Sequence, residues 1–520
     1  MNEHEIAAPL LQRTVRNSIF LTLGTAVTFV LAFVFGGLTI RYLGNARAGY
    51  FLTLQAILAL NVLIGGFGLG TPAIRRVAEL HAQKEWHIAR KIVGSVLLMN
   101  GIIGLVFGGV ILSIFPYVFK WSKLDLIYQS DALGATCFVV ATFFFGQISG
   151  AFSTSYEALQ RYDISTSINA TYGLLSGTLG ITVLILIPSM TAIACVGFVL
   201  SSIRILADSI FVTRILKNVP WPTWCWQEIR PMIGFGGWSY FSSLGGFLFT
   251  NADRLILTSF LGSAAMPYYT VPQSLFQQVH SALASQSRFL FPMVASFGKL
   301  ATVQITQLED RMRWFVALVS GILYTGIAIV GPSILAILVN PDFAYLSRFP
   351  LWLACIQGFL HAQMIVPYYT SWGIGKGAPN TIVTMVNGFL VIATAVILIP
   401  LYGYIGSSIA QLWIGPVALL HTLWVSRLVN SQHNIWNWYR AYITPLIMVF
   451  TMLATFFLVK QYVPFHSLIL IAIFCGSASL GLAIVWFVEC SAFSSYNRCQ
   501  TLMRALAIPL SRLKQAMAVR

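Results

Sequence analysis

Fourteen apolar runs dominate this chain, each close to the ~20 residues a helix needs to cross the hydrocarbon of a bilayer. They lie near residues 18–40, 50–70, 93–118, 132–152, 168–187, 191–212, 233–250, 270–295, 314–339, 350–370, 381–399, 404–426, 441–459 and 468–488. Backbone immersed in lipid must satisfy its own hydrogen bonds, so runs of this length dictate helices. The expected fold is an all-α polytopic membrane protein with about 14 transmembrane helices. Charge agrees with that reading. Only 9% of the 520 positions are Asp, Glu, Lys or Arg, whereas 57% are apolar; soluble proteins devote about 25% to charge. So few charges cannot clothe a water-soluble surface, which excludes an ordinary soluble enzyme, a nucleic-acid binder and a disordered scaffold. The first run follows Arg13 and Arg16 but exceeds the apolar core of a signal peptide and ends in RYLGNARAG, so it reads as an anchored span.

The net charge of +16 is distributed unevenly. Alternate loops hold 22 and 7 of the Lys and Arg residues, the richer set including both termini, and only Arg204 and Arg288 fall inside runs. Basic loops favour the cytoplasmic side, so both termini are expected there, beside anionic lipid. The seven cysteines (137, 195, 225, 355, 475, 490 and 499) form no CxxC pair and indicate neither a disulfide framework nor a zinc site. The loops are short, and HExxH, Walker-type and GxSxG motifs are absent from the sequence. With no room for a catalytic domain outside the membrane, the helices themselves must do the work, which points to transport.

The chain also repeats itself. Leu43-Gly44-Asn45-Ala46 with Tyr50-Phe51 matches Leu261-Gly262-Ser263-Ala264 with Tyr268-Tyr269 at an offset of 218 residues, which Gln55 and Gln273 also keep. LILIP at 184–188 and VILIP at 396–400 recur at an offset of 212. The expected organisation is a six-helix lobe at 1–217, a second at 218–430, two further helices at 431–490 and a basic tail at 491–520. Because six is even, the halves enter the membrane alike, giving a parallel repeat.

Charged groups at membrane depth cost about 2.5–3.5 kcal/mol each on insertion scales, so those present carry information. In the run 270–295, Gln273, Gln277, His280 and Arg288 share roughly an 80° arc if the helix is continuous. That stripe either lines a water-filled cavity or bonds helices together. Arg204 and Asp208 lie one turn apart, as an internal ion pair or a substrate contact. Gln357 and His361 do the same and suit helix–helix bonding, and His421 reads as a satisfied buried histidine. Asp253 and Arg254 form an interfacial pair or a gating element, and Arg41 and Arg47 fall at an external interface. A cavity with excess positive charge favours an anion, and its Gln, His and Ser side chains would replace the water lost by a polar head group.

Several segments resemble one family. RYLGNARAGYF (41–51), GFGLGTPAIRRVAE (66–79), EALQRYD (157–163), NADRLILTSFLG (251–262) with Tyr268, GIGKGAPNT (373–381) and IPLYGYIGSSIAQ (399–411) occur in the order found in Wzx-type polysaccharide flippases. These belong to the multidrug/oligosaccharidyl-lipid/polysaccharide (MOP) transporter superfamily. The resemblance implies a MATE-like, two-lobed, V-shaped fold around a cationic lumen. The implied activity is moving undecaprenyl-diphosphate-linked oligosaccharide across a bacterial inner membrane, with a polysaccharide polymerase and a chain-length regulator as further expected partners. It places Arg288 and its stripe against the diphosphate or sugars, Asp253 at the family's acidic position, and Glu157 and Arg161 in its loop after the fourth helix. It implies no cofactor; proton or sodium coupling is typical of the superfamily, with His280, Asp253 and Asp208 as candidates. One departure is that no charge stands between Ser18 and Ile40, where lipid II flippases have charged residues; this argues against that substrate.

Two other readings remain open from sequence. A drug or organic-cation antiporter of the same superfamily would need an anionic cavity and usually has twelve spans. A membrane glycosyltransferase or polymerase would carry paired carboxylates on a long external loop, and no such loop is present.

Overall fold

The structure, a computed structural model, describes residues 28, 30–60, 70–159, 161–297, 302–430 and 435–460, together with positions 476, 478, 479, 481, 482 and 485. Every regular element among them is helical. They are α1 (Val30–Leu43), α2 (Asn45–Ala59), α3 (Gly70–Ala82), α4 (Trp86–Ser113), α5 (Phe115–Trp121), α6 (Gln129–Ala158), α7 (Tyr162–Leu186), α8 (Met190–Leu216), α9 (Trp226–Thr250) and α10 (Ala252–Leu261). There follow α11 (Met266–Gln286), α12 (Leu290–Phe297), α13 (Thr302–Leu338), α14 (Pro341–Ala362), α15 (Ile365–Gly373), α16 (Ala378–Tyr402), α17 (Tyr404–Ala410), α18 (Ile414–Val429) and α19 (Ile435–Lys460). Eight stretches among the described residues are helical, long and apolar enough to span a membrane. Of the last expected run, 468–488, only six positions are described, and the basic tail lies outside the described residues.

Contacts divide the chain into two compact units. The first comprises Met1–Gln278, Leu335–Pro350 and Thr381–Trp413; the second comprises Val279–Ile334, Leu351–Asn380 and Ile414–Arg520.

In the first unit, glycine sets how closely helices approach. An added Cβ at Gly173, Gly177 and Gly180 of α7 would meet Thr28, Leu31 and Phe35 at 2.6, 2.9 and 2.9 Å. This small-residue ridge lets α1 lie against α7 where lipid offers no hydrophobic drive for association. The start of α8 is capped from a neighbouring helix. Asp131 of α6 accepts from the backbone N–H groups of Met190 and Thr191 at 3.1 and 3.0 Å and from the Ser189 hydroxyl at 2.6 Å. An anion at a helix N-terminus satisfies orphan donors and the helix dipole together. At one end of this unit Arg41 donates to the Ile337 carbonyl (3.1 Å) and Arg47 to those of Leu43 (2.7 Å) and Pro188 (3.3 Å).

Two of the segments that match in sequence also match in local backbone geometry. Gly44 adopts φ 80°, ψ 164° and Gly262 φ 82°, ψ 179°, conformations open mainly to glycine. The Gly44 N–H donates to Ile40 and the Gly262 N–H to Thr258, partners that keep the offset of 218. The elements that follow then meet. A Cβ on Gly49 would fall 1.8 Å from the Ser263 carbonyl oxygen, so backbone lies directly on backbone. Asn45 donates to the Tyr268 hydroxyl at 2.6 Å, and Thr53 and Thr258 bond at 3.2 Å.

The second unit has a buried ionic core. Arg313 is only 2% exposed; it pairs with Glu309 at 2.8 Å and Asp310 at 3.6 Å and donates to Ser426 of α18 at 2.6 Å. Trp314 donates to Thr444 of α19 at 2.8 Å. Burying such charge is costly unless the geometry is good, and here one arginine ties α13 to α18.

Candidate functional site

The best-defined polar node lies in the first unit and is centred on Asp253. This residue opens α10 and is fully buried. Its carboxylate accepts from the Tyr269 hydroxyl of α11, from Ser407 of α17 at 3.2 Å and from the Gln411 amide at 2.8 Å. The Arg254 backbone N–H donates to it at 2.9 Å. Gln411 also donates to the Phe249 carbonyl at 3.0 Å and lies 3.2 Å from the Tyr269 oxygen. Among the described residues no Lys, Arg or His forms an ion pair with Asp253. The Arg254 side chain instead reaches Gln277 of α11 at 3.4 Å, and its Nε is buried without a hydrogen-bond partner. The structure therefore separates the Asp253 and Arg254 side chains and ties both to α11. Gln273 is buried on that helix, which Pro272 interrupts.

The arc expected across the run 270–295 does not persist to Arg288. Helix α11 ends at Gln286, and Ser287, Arg288 and Phe289 form a turn before α12. The Ser287 hydroxyl bonds the Leu283 carbonyl at 2.9 Å, and Pro292 has no N–H to return to the carbonyl of Arg288. Arg288 is exposed on that turn, beside Tyr369 in the second unit. His280 stacks flat on His361 of α14, with centroids 3.9 Å apart and planes within 4°. His421 is fully buried and bonded to Asn380 at 2.8 Å.

A second carboxylate node occupies the first unit. Asp208 of α8 is 1% exposed and accepts from the Ser149 and Tyr156 hydroxyls of α6. Arg204 stands 3.7 Å away, donates to Asn169 at 2.8 Å and lies over the Tyr172 ring. Glu157 is half-buried at the end of α6, and Arg161 is exposed just before α7. Arg161 and Arg204 line one cavity. No group of three or more His, Cys, Asp or Glu among the described residues is arranged to hold a metal.

Sequence reasoning identified Asp253, Arg254, Asp208 and Arg204 but missed Tyr269, Ser407, Gln411, Tyr156 and Ser149, which hold them. Ser407 and Gln411 were within reach, because two polar residues four apart share one helix face in an apolar run.

The fold has solved counterparts. It resembles the lipid II flippase MurJ in an inward closed conformation, with a TM-score of 0.71 at 13% identity, covering 90% of this chain and 99% of that one. An inward-facing multidrug resistance MATE transporter of the MOP superfamily gives a TM-score of 0.63 at 13% identity, covering 78% and 94%. The chain is a polytopic membrane protein that shares its fold with these transporters. A Shigella flexneri protein named as an O-antigen transporter is 21% identical over 408 residues, 76% of this chain and 93% of that relative. Residues 14–297 match the family described as "Polysaccharide biosynthesis protein", and the chain belongs to it.

Proposed function

We propose that this protein is a flippase for a lipid-linked oligosaccharide, carrying an undecaprenyl-diphosphate-linked repeat unit of O-antigen, capsule or exopolysaccharide from the cytoplasmic to the outer leaflet of a bacterial inner membrane. The observation that carries the reading is the family match over residues 14–297, which joins a polysaccharide role to a fold shared with flippases. The physical demand is consistent with it: a sugar head group crossing a membrane needs hydrogen bonds in place of water. His280 and Arg288, both in the second unit, are the groups we assign to meet the sugar and diphosphate. Alternating access would open and close the backbone contact between Gly49 and Ser263. Asp253 is assigned to ion coupling, because its buried carboxylate is bonded to hydroxyl, amide and backbone donors and forms no ion pair among the described residues.

Deleting the gene is expected to trap lipid-linked oligosaccharide on the cytoplasmic face and remove surface polysaccharide, with Arg288→Glu reproducing the defect at normal protein levels. Normal surface polysaccharide in a deletion strain without a paralogue sinks the reading. One observation favours a second: an uncompensated buried carboxylate also suits a drug or cation antiporter. In that case the deletion strain would keep its polysaccharide and lose resistance to cationic drugs.

A further inference from the structure

Residues 217–225 link α8 to α9 within the first unit, and with the first residue of α9 they carry Trp221, Trp224 and Trp226. All three indoles stand outward, at 72%, 55% and 50% exposed. Trp224 and Trp226 stack, with ring centroids 6.0 Å apart and planes within 9°. The segment that bears them is pinned to α4. The Thr223 N–H donates to the Gly94 carbonyl at 3.4 Å, the Ser95 hydroxyl bonds the Thr223 carbonyl at 2.7 Å, and the Cys225 N–H donates to the Ser95 oxygen at 3.0 Å. A Cβ on Gly94 would fall 2.1 Å from the Trp221 carbonyl oxygen, so the segment rests on the α4 backbone itself. Pro220 and Pro222 flank Trp221 and stiffen the chain there.

Charge around this patch is mostly of one sign. Residues 209–230 hold Arg214, Lys217 and Arg230, all exposed, against a single acid, Glu228, which Arg76 engages at 3.1 Å. None of those three cations forms an ion pair among the described residues. Lys217 instead reaches over the Trp86 ring at the start of α4.

We infer that this patch is an interfacial anchor, seating the α8–α9 end of the first unit in the headgroup layer of an anionic phospholipid leaflet. Water is a poor neighbour, since indoles exposed by half or more leave a contiguous apolar surface wet. The hydrocarbon core is equally unsuitable, because an irregular segment facing lipid there would leave backbone groups without hydrogen bonds. The headgroup layer meets both demands, burying the ring and offering the indole N–H a partner. Exposed Arg and Lys beside it select an anionic leaflet. Because the bearing segment is fixed to α4, the leaflet holds α4, α8 and α9 at one depth. The inference needs no particular cargo and stands apart from the proposed transport activity.

The test uses the full chain reconstituted in phosphatidylcholine vesicles with and without phosphatidylglycerol. Emission from the patch is the difference between the parent and the Trp221→Phe/Trp224→Phe/Trp226→Phe variant; Trp221→Phe alone, at the most exposed ring, serves if the triple variant does not fold. A nitroxide on the lipid headgroup is expected to quench that difference about twofold more strongly than one at the acyl-chain terminus. Phosphatidylglycerol is expected to raise the unfolding temperature of the parent, and Arg214→Gln/Lys217→Gln/Arg230→Gln to remove about half of that rise. An undiminished rise overturns the assignment to anionic lipid. Stronger quenching from the chain terminus overturns the anchor. So does quenching by aqueous iodide and neither nitroxide, which marks a water-facing patch, and so does protection from all three, which marks a seat for another protein.

Discussion

Asp208 and Asp253 are two buried carboxylates in the same unit, each held by a tyrosine and a serine hydroxyl. They differ in what balances their charge. Asp208 has Arg204 at 3.7 Å, whereas Asp253 has an amide, a backbone N–H and hydroxyls. A carboxylate with a cation beside it is compensated in every state of the protein. One ringed by neutral dipoles is held as an anion only by hydrogen bonds, each worth about 1.5–3 kcal/mol to a charged group. Asp208 thus has the form of a brace between α6 and α8, and Asp253 that of a carboxylate held by hydroxyl, amide and backbone donors with no ion pair among the described residues.

That contrast can be broken by matched substitutions. Asp253→Asn is expected to lower polysaccharide export by more than tenfold while the protein still folds. Asp208→Asn should leave most export intact and lower stability by about 1–3 kcal/mol, read by thermal unfolding of purified protein; equal export losses would erase the distinction. Removing the tyrosine hydroxyls sharpens it. Tyr269→Phe is expected to cost about 2–3 kcal/mol, because no ion pair to Asp253 shares the load, and Tyr156→Phe about 1–2 kcal/mol. The reverse order would place the uncompensated charge at Asp208. The smallest effect is expected where charge is solvated: Arg76 bridges Glu79 and Glu228, at 3.5 and 3.1 Å, on the surface of α3 and α9. Arg76→Gln should cost less than about 1 kcal/mol. Hydrogen bonding from Arg75 holds the exposed Glu79 carboxyl below its ordinary range. Whatever that cluster contributes is present above the ordinary carboxyl range and fades as pH falls through the lowered value.

The helical membrane fold was legible because lipid leaves backbone few alternatives. Two matched glycines in the sequence have a physical reason: Gly44 and Gly262 both take a positive φ at a turn closed by the same backbone bond. Similar letters nonetheless gave different endings elsewhere. After LILIP, α7 has already stopped at Leu186, with Ile187 in the extended form that precedes proline, whereas α16 runs through Pro400 to Tyr402 and stops at Gly403. The helix does not carry Arg288 because Pro292, four residues ahead, cannot supply the α-helical bond to its carbonyl, which accepts from the Phe291 N–H at 3.2 Å instead; the signal is present in the sequence but outweighed there by apolar periodicity. The ligands of Asp253 come from α11, α17 and the turn after α17, more than 150 residues apart in the case of Ser407 and Gln411; no spacing rule connects them.

The absence of a side chain at Gly49 has a mechanical meaning. Longer side chains can stretch and re-pack as two surfaces part, letting a junction yield by degrees. Main chain resting on main chain has no such slack, and a gap of about 0.5–1 Å already forfeits roughly a quarter to a half of its dispersion attraction. A contact of this kind tolerates no added side chain at Gly49 and leaves the two segments little room to slide against each other.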